Sequence, residues 1–585
     1  MKRFHPDSIS SVSYRILNWT IRGAILATAG WQVRLRWDGW LSDDTISYLE
    51  LARLLREGHA TAAISAYWSP VYPALLAALL WILPDSQEQA LLALRILSGL
   101  LFATQWLAFE YFVRGVEKEW GPRSPELRWM SSTLFLWSLW RWLPVQVPTP
   151  DPLVAIVVFL TAGLLVRERI TPRHGDSGSA LWSALLGAGF GVGYLCKTIL
   201  LPVGWVSLLF VAFRHRKAAA WAFATFALIA APWIIAISLQ EGRLTWGDSG
   251  RLTYLWDVSA CRAQLPRFRN WTGNECRAAG LPAHPVKLLL EHPRIYAMEH
   301  TTSKTSLNES TFPTWFDPSY FWKGARIPFS FRDQIDVLFG NLKYAWIRCL
   351  AFVFAWVSFG WLALPGFWKA WRRRTFPPVA GPLQAMIGAA FLAYGLGVNL
   401  DIAFAATRYL APFWLVAGVL LAWRWSASAR SLKDSRTFRA RGCACLIGAA
   451  IWAAWAGRDW RADPGLDIPS LDAAPEALIG ARLERENVGP GDGIAVFETD
   501  SIYPRLAAFL RHWRIRATLD NSDLLGDASR SDEMPAVDRV LRNNGVKALV
   551  GFLGDGPVPK DWIRIEGTSF GFKRIAGLPG MSTPH

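Results

Sequence analysis

"DPLVAIVVFLTAGLLVRERITPR" occupies residues 151–173, and the order of its parts decides how the whole chain is read. An acid stands between prolines at one end, an apolar run follows, and the basic segment "RERITPR" (167–173) closes it. An apolar run of roughly 17–25 residues is what a helix needs to cross a bilayer. Short basic loops are what the positive-inside rule keeps in the cytoplasm. The stretch therefore predicts a span over 152–168 with Asp151 at its outer mouth and Arg167 inside.

Working outward, the same pattern recurs. Further candidate spans are 15–33, 93–113, 129–147, 180–196, 198–213, 218–239, 343–365, 379–400, 409–425 and 442–458, about eleven in all. With the N-terminus inside, the loop 114–128 falls in the cytoplasm, as do "RERITPR", "RHRK" (214–217), "KAWRRR" (369–374) and "RSLKDSRTFRAR" (430–441). A parity error anywhere would have put some of these outside. Composition agrees: of 585 residues 52% are hydrophobic and only 18% charged, with 34 Trp and a mean hydropathy of +0.19. Soluble domains carry about 25% charged residues, and Trp favours membrane–water interfaces. The net charge of +16 reads as topology and gives no reason to expect nucleic acid.

The start "MKRF" with Arg22 inside the following apolar stretch reads as an uncleaved first span. Cys196, Cys349, Cys443 and Cys445 lie in or beside apolar runs and read as packing residues. Cys261 and Cys276 share a long polar loop and are the candidates for a disulfide if that loop is extracytoplasmic.

The polar segments 34–92, 148–151, 240–342 and 459 onward fall outside. The run "SPVYPALLAALLWILP" (69–84) is short and punctuated by prolines, so a re-entrant or surface helix is expected. The tail alternates helix-like and strand-like patterns: "DAAPEALIGARLERE", "GIAVFE", "IYPRLAAFLRHW", "RIRATL", "MPAVDRVLRNNG" and "VKALVGFL". That alternation predicts a small α/β domain with a largely parallel sheet. The expected architecture is a polytopic α-helical membrane domain over 1–458 and a soluble, extracytoplasmic α/β domain over 459–585. No phosphate loop, Walker lysine or zinc spacing marks the tail.

Several residues could carry chemistry. In "LSDDTISYLELARLL" (41–55), Asp43 and Asp44 stand where an amphipathic helix begins. One reading is a helix cap; the other is a general base at the membrane surface. Asp151 reads either as a solvated turn acid or as a functional one, since charge at a span mouth needs water or a partner. Lys197, in "GYLCKTILLP", either snorkels or neutralises a lipid phosphate. Arg408, in "ATRYLAPFW", runs against the positive-inside bias and has the planar fork that suits phosphate oxygens. The loop "FPTWFDPSYFWKGARIPF" (312–329) mixes aromatics, prolines and charges. The spacing in "HPRIYAMEH" (292–300) is not that of a zinc site.

Together these motifs resemble the GT-C superfamily of integral-membrane glycosyltransferases, nearest the aminoarabinose-lipid A transferases and protein O-mannosyltransferases. "SDDTISYLELA" is similar to the family's acidic motif in the first outer loop. Asp44 has Tyr48 four residues on, as that motif has, although Thr45 replaces its usual second acid. "YWSPVYPALLAAL" looks like the proline-rich start of the family's juxtamembrane helix, without the His or Lys often found before those prolines. "TPDPL" is similar to the second outer acidic motif, "LCKTILLP" to the Lys-then-Pro segment, and "TRYLAPF" to the Arg-Tyr segment. The likeness covers roughly 15–425.

The resemblance implies an inverting transferase in a bacterial-type plasma membrane. Its donor would be a polyprenyl-phosphate-linked sugar and its acceptor a lipid, glycan or protein. Asp44, or Asp43, would be the base, and Asp151 would orient the acceptor, or a divalent metal if one is used. Lys197, Arg408 and Tyr409 would hold the donor phosphate. Tyr48, Trp68, Trp315, Asp317 and Tyr320 would shape the substrate loop. No cofactor is otherwise called for. The rival readings are a lipid or polymer transporter, disfavoured by the lack of an inverted repeat, and a non-catalytic envelope scaffold.

Overall fold

The computed structural model describes residues 7–34, 42–84, 89–120, 125–145, 147–167, 178–213, 215–259, 286–298 (without 292), 318–321, 327, 329–344, 380–400, 405–430, 475–497, 503–519 and 534–575 (without 555). The first half is helical: α1 (Asp7–Arg34), α2 (Asp43–Arg56), α3 (Val71–Ile82), α4 (Gln89–Trp120), α5 (Pro125–Arg141), α6 (Asp151–Arg167), α7 (Gly178–Cys196), α8 (Leu200–Ala212) and α9 (Arg216–Glu241). Then come α10 (Ser249–Asp257), strands β1 (Val286–Glu291) and β2 (Arg294–Met298), a short turn α11 (Pro318–Phe321), α12 (Phe331–Tyr344), α13 (Ala380–Gly397) and α14 (Ala405–Arg430).

Helix α6 is apolar all round and buried on nearly every side, from Leu153 to Val166. A helix of that kind belongs at the centre of a bundle, and it packs against α4, α7 and α14. The neighbours turn apolar faces outward. On α9, Leu228 is 75% and Leu239 79% exposed, with Trp221 and Ile235 beside them; α1 exposes Ile16, Trp19 and Leu26. Apolar faces this extensive suit hydrocarbon and not water. Among the described residues, Gln89–Lys118 and Arg216–Glu241 are long and apolar enough to cross a bilayer, with shorter apolar helices beside them. The expected span over 442–458 and all but the first two residues of that over 343–365 lie outside the described residues, as do Cys261 and Cys276.

Two local features set the position of the site. Gly187 on α7 meets α9 so closely that a Cβ there would stand 1.9 Å from the Ala222 carbonyl oxygen. A small residue at such a crossing lets the backbones touch, and Thr225 adds a hydrogen bond to the Ala184 carbonyl at 3.1 Å. That crossing fixes α7, whose end delivers Lys197. On the other side, buried Gln32 of α1 donates to the Leu139 carbonyl at 2.9 Å and accepts from the Val145 N–H at 2.9 Å. It thereby pins the chain between α5 and α6, where Asp151 begins.

Helix α3 has 12 residues, about 18 Å of helix, too short for a hydrocarbon core of about 30 Å. It buries Tyr72, Leu76 and Leu80 and packs on α2.

The tail forms α15 (Pro475–Arg485), β3 (Gly493–Phe497), α16 (Tyr503–Leu510), β4 (Arg514–Leu519), α17 (Met534–Asn543), β5 (Val546–Phe552), β6 (Ile563–Arg564) and β7 (Phe570–Arg574). Its sheet has the order β1-β2-β4-β3-β5-β7-β6. Only β4-β3-β5 is parallel; the outer pairings are antiparallel. The expected largely parallel sheet is therefore a mixed one. Two of its strands come from the 240–342 segment, because the β1–β2 hairpin adds to the edge of β4. Helix α16 touches the bundle: the Arg53 guanidinium of α2 lies 5.7 Å from the Phe509 ring centre.

Candidate active site

A cavity of about 610 Å³ opens where α2, α6, α7, α10, α13 and α14 meet. Its lining includes Asp44, Tyr48, Trp68, Asp151, Lys197, Arg408 and Tyr409. Trp315 and Asp317 lie outside the described residues; Tyr320 belongs to α11, but its side chain is not described.

Asp151 is the hub. It is the first residue of α6 and only 3% exposed at its side chain. Lys197, at the break between α7 and α8, donates to its Oδ1 at 2.6 Å. Arg408, in the first turn of α14, places Nε 3.0 Å from Oδ2, and the Thr149 hydroxyl donates to Oδ2 at 3.1 Å. The Arg408 contact is an ion pair without good hydrogen-bond geometry at Nε. Burying a carboxylate is tolerable only with partners of this kind. Tyr409 lies against both cations, with Lys197 Nζ 3.9 Å and Arg408 Cζ 5.4 Å from its ring centre. Tyr394 stacks on Tyr409 at 5.5 Å.

Across the cavity, α2 opens with Ser42 as its N-cap, and the Thr45 hydroxyl accepts the Ser42 backbone N–H at 3.2 Å. The start of the helix is thus capped by Ser42 and Thr45. Asp44 lines the cavity; Asp43 is the first residue of α2, and its side chain is not described. Tyr48, Tyr67, Trp68 and Tyr72 build the aromatic wall next to Asp44, with ring centres 4.5–4.9 Å apart in edge-on contacts. Burial first, and the Asp44 carboxylate second, push the phenols of Tyr48 and Tyr67 well above their ordinary range. Both stay protonated and can donate hydrogen bonds.

The third wall was not singled out by sequence. It is the segment 243–251, with Arg243, Asp248 and Arg251. Gly247 sits at φ +123, and a Cβ there would meet Thr198 and the Ala66 carbonyl at 3.2–3.3 Å. Only glycine adopts that conformation at that spacing readily. Tyr194 donates to the Trp246 carbonyl at 2.9 Å, which ties the same segment to α7. Nearby, burial raises Asp257 at the end of α10 to about 6, opposed by a hydrogen bond from the Asn399 N–H. Among the described residues no three His, Cys, Asp or Glu side chains converge as a metal-binding set, and Asp151 is already engaged by two cations. Among the described residues the donor set for a divalent metal does not assemble there.

No family model matches the sequence, and no curated protein does. Among solved structures the chain is similar to ArnT from Cupriavidus metallidurans bound to undecaprenyl phosphate, at 11% identity and a TM-score of 0.44 over 98% of this chain and 99% of that one. It is also similar to the oligosaccharyltransferase AglB from Archaeoglobus fulgidus in complex with an inhibitory peptide and a dolichol-phosphate. There the identity is 12% and the TM-score 0.46, over 92% of this chain and 69% of that one. Both are GT-C glycosyltransferases. At such identities and scores, neither likeness assigns an activity to this chain.

Proposed function

We propose that this chain is a membrane glycosyltransferase. It would move a sugar from a polyprenyl-phosphate-linked donor to an acceptor hydroxyl at the outer face of the membrane, with inversion. The observation that carries the reading is a cavity lined by Asp44 together with the Lys197–Asp151–Arg408 cluster. Those residues come from four segments far apart in sequence and together supply two carboxylates and two cations, beside the flat aromatic walls of Tyr67, Trp68 and Tyr409.

In this reading Asp44 takes the proton from the acceptor hydroxyl. The oxygen attacks the anomeric carbon from the face opposite the phosphate. The bond between that carbon and the phosphate oxygen breaks, and its electron pair leaves with the polyprenyl phosphate. Lys197 and Arg408 stabilise the charge that grows on the departing oxygen. Tyr67 and Trp68 offer ring faces and a phenol donor to the sugar. Asp151 is the positioning residue. A carboxylate held by two cations is a weak base, but it fixes both cations where a phosphate can bridge them.

The chain would lie in a plasma membrane with its N-terminus cytoplasmic, about eleven spans, and the 459–585 domain outside. The test is release of free polyprenyl phosphate from a panel of polyprenyl-phosphate sugars by purified protein supplied with envelope lipids, glycans and proteins as acceptors. Release that depends on an acceptor supports the reading. Absence of release with every donor, under conditions where the protein binds polyprenyl phosphate, contradicts it.

A further inference from the structure

The same cavity holds a second charged centre that the proposed reaction does not use. Asp248 is 1% exposed. Arg243 Nη2 donates to both of its oxygens at 2.6 Å, and Arg251 Nε lies 3.5 Å from Oδ1. Its backbone N–H donates to the Ala66 carbonyl at 2.6 Å, which fixes the acid beneath the aromatic wall. The plan repeats that at Asp151, with one buried carboxylate holding two cations on one cavity.

Charge arithmetic favours an anion in this cavity. Among the described lining residues there are four cations (Lys197, Arg243, Arg251, Arg408) and three carboxylates (Asp44, Asp151, Asp248). Arg243 and Arg251 set two positive charges against the one carboxylate of Asp248. Arg243 is 44% exposed at its side chain, so its guanidinium is open to a ligand. Two guanidinium forks suit the paired oxygens of a phosphate-class anion.

We propose that Arg243, Asp248 and Arg251 form a second phosphate-class anion site, filled together with the donor phosphate at Lys197 and Arg408. The inference rests on the glycosyltransferase reading and specifies its substrates: one of them carries a second anionic group. Either the donor is a polyprenyl diphosphate, or the acceptor bears a phosphate of its own.

The test uses full-length protein in detergent, with a polyprenyl monophosphate, the diphosphate of the same chain length, and radiolabelled inorganic phosphate as probes. Monophosphate binding by the wild type and by Lys197→Ala is measured first. Failure at that step sinks the donor assignment and is read separately from the second centre. The Arg243→Gln/Arg251→Gln variant is then compared with wild type. A diphosphate bound about tenfold or more tighter than the monophosphate by wild type, with that gain lost in the variant, places the second phosphate on the donor. Equal binding of both lipids, with phosphate retained over saturating monophosphate by wild type and lost in the variant, places it on the acceptor. Wild type and variant behaving alike in both assays overturns the proposal. Because the double variant leaves Asp248 buried without its cations, Arg243→Gln/Asp248→Asn/Arg251→Gln is run beside it. The neutral triad keeps hydrogen-bonding groups while removing the charge, so a folded protein remains to be measured.

Discussion

Lys197 Nζ lies 2.6 Å from Asp151 Oδ1 across 46 positions of sequence, and the same ammonium lies 3.9 Å from the centre of the Tyr409 ring. The break between α7 and α8 is thereby tied to the start of α6 and to the first turn of α14. One acid holds three elements and two cations in place.

Asp151→Ala should therefore be strongly destabilising. Removing one partner of a buried ion pair costs about 3–5 kcal/mol, and here two cations lose theirs. Thermal melting should fall well below wild type. Added polyprenyl phosphate should recover part of the loss, because a phosphate re-pairs Lys197 and Arg408 and binding to the folded state stabilises it. Melting unchanged by the substitution would show that the cluster is not holding the bundle.

Tyr409→Leu should weaken polyprenyl phosphate binding. A desolvated cation over an aromatic face contributes about 0.5–2 kcal/mol, so Kd should rise roughly two- to thirtyfold. Tyr409→Phe keeps the ring under Lys197 and should lose less. Titration of the two variants with the lipid distinguishes them, and equal losses would assign the effect to the hydroxyl.

Asp257 gives a pH signature. Burial raises it from 3.8 to about 6, so the folded chain favours its protonated form. That contribution is fully present below about pH 4 and is lost as pH rises through about 6. The difference in melting temperature between wild type and Asp257→Asn, followed across that window, should shift in favour of the variant as pH rises. A difference flat with pH would contradict the assignment.

Asn341 should be intolerant of Leu. It is 2% exposed, donates to the carbonyls of Gly395 and Val398 at 2.8 and 2.6 Å, and accepts from the Leu400 N–H at 2.6 Å. Each buried backbone group left without its partner costs about 1–3 kcal/mol. The Asn341→Leu melting temperature should fall, and little change would mean that water replaces the side chain.

The helices and the central strands of the tail were legible because periodicity and turn residues mark them directly. "GIAVFE", "RIRATL" and "VKALVGFL" became β3, β4 and β5. The β1–β2 hairpin was not, because "VKLLLEHPRIYAM" (286–298) lies in a segment whose polar flanks gave no cue that it would join a sheet some 200 residues later. In the cavity, Asp44, Asp151, Lys197 and Arg408 stood out because each is a charge beside an apolar run, where charge is costly. Arg243, Asp248 and Arg251 did not, since in "EGRLTWGDSGR" (241–251) they read like any solvated loop. Only their convergence on one buried carboxylate sets them apart, and that depends on a contact with Ala66 no local pattern encodes.

Ser42 caps α2 with Thr45, and Asp44, two residues after Ser42, lines the cavity where the acceptor hydroxyl would lose its proton. The most direct measurement is acceptor-dependent release of polyprenyl phosphate by wild type and by Asp44→Asn, at equal donor occupancy. Asp44→Asn should fold, bind the lipid and turn over slower by about 10²–10⁴-fold. Release by Asp44→Asn at the wild-type rate would show that Asp44 is not the base.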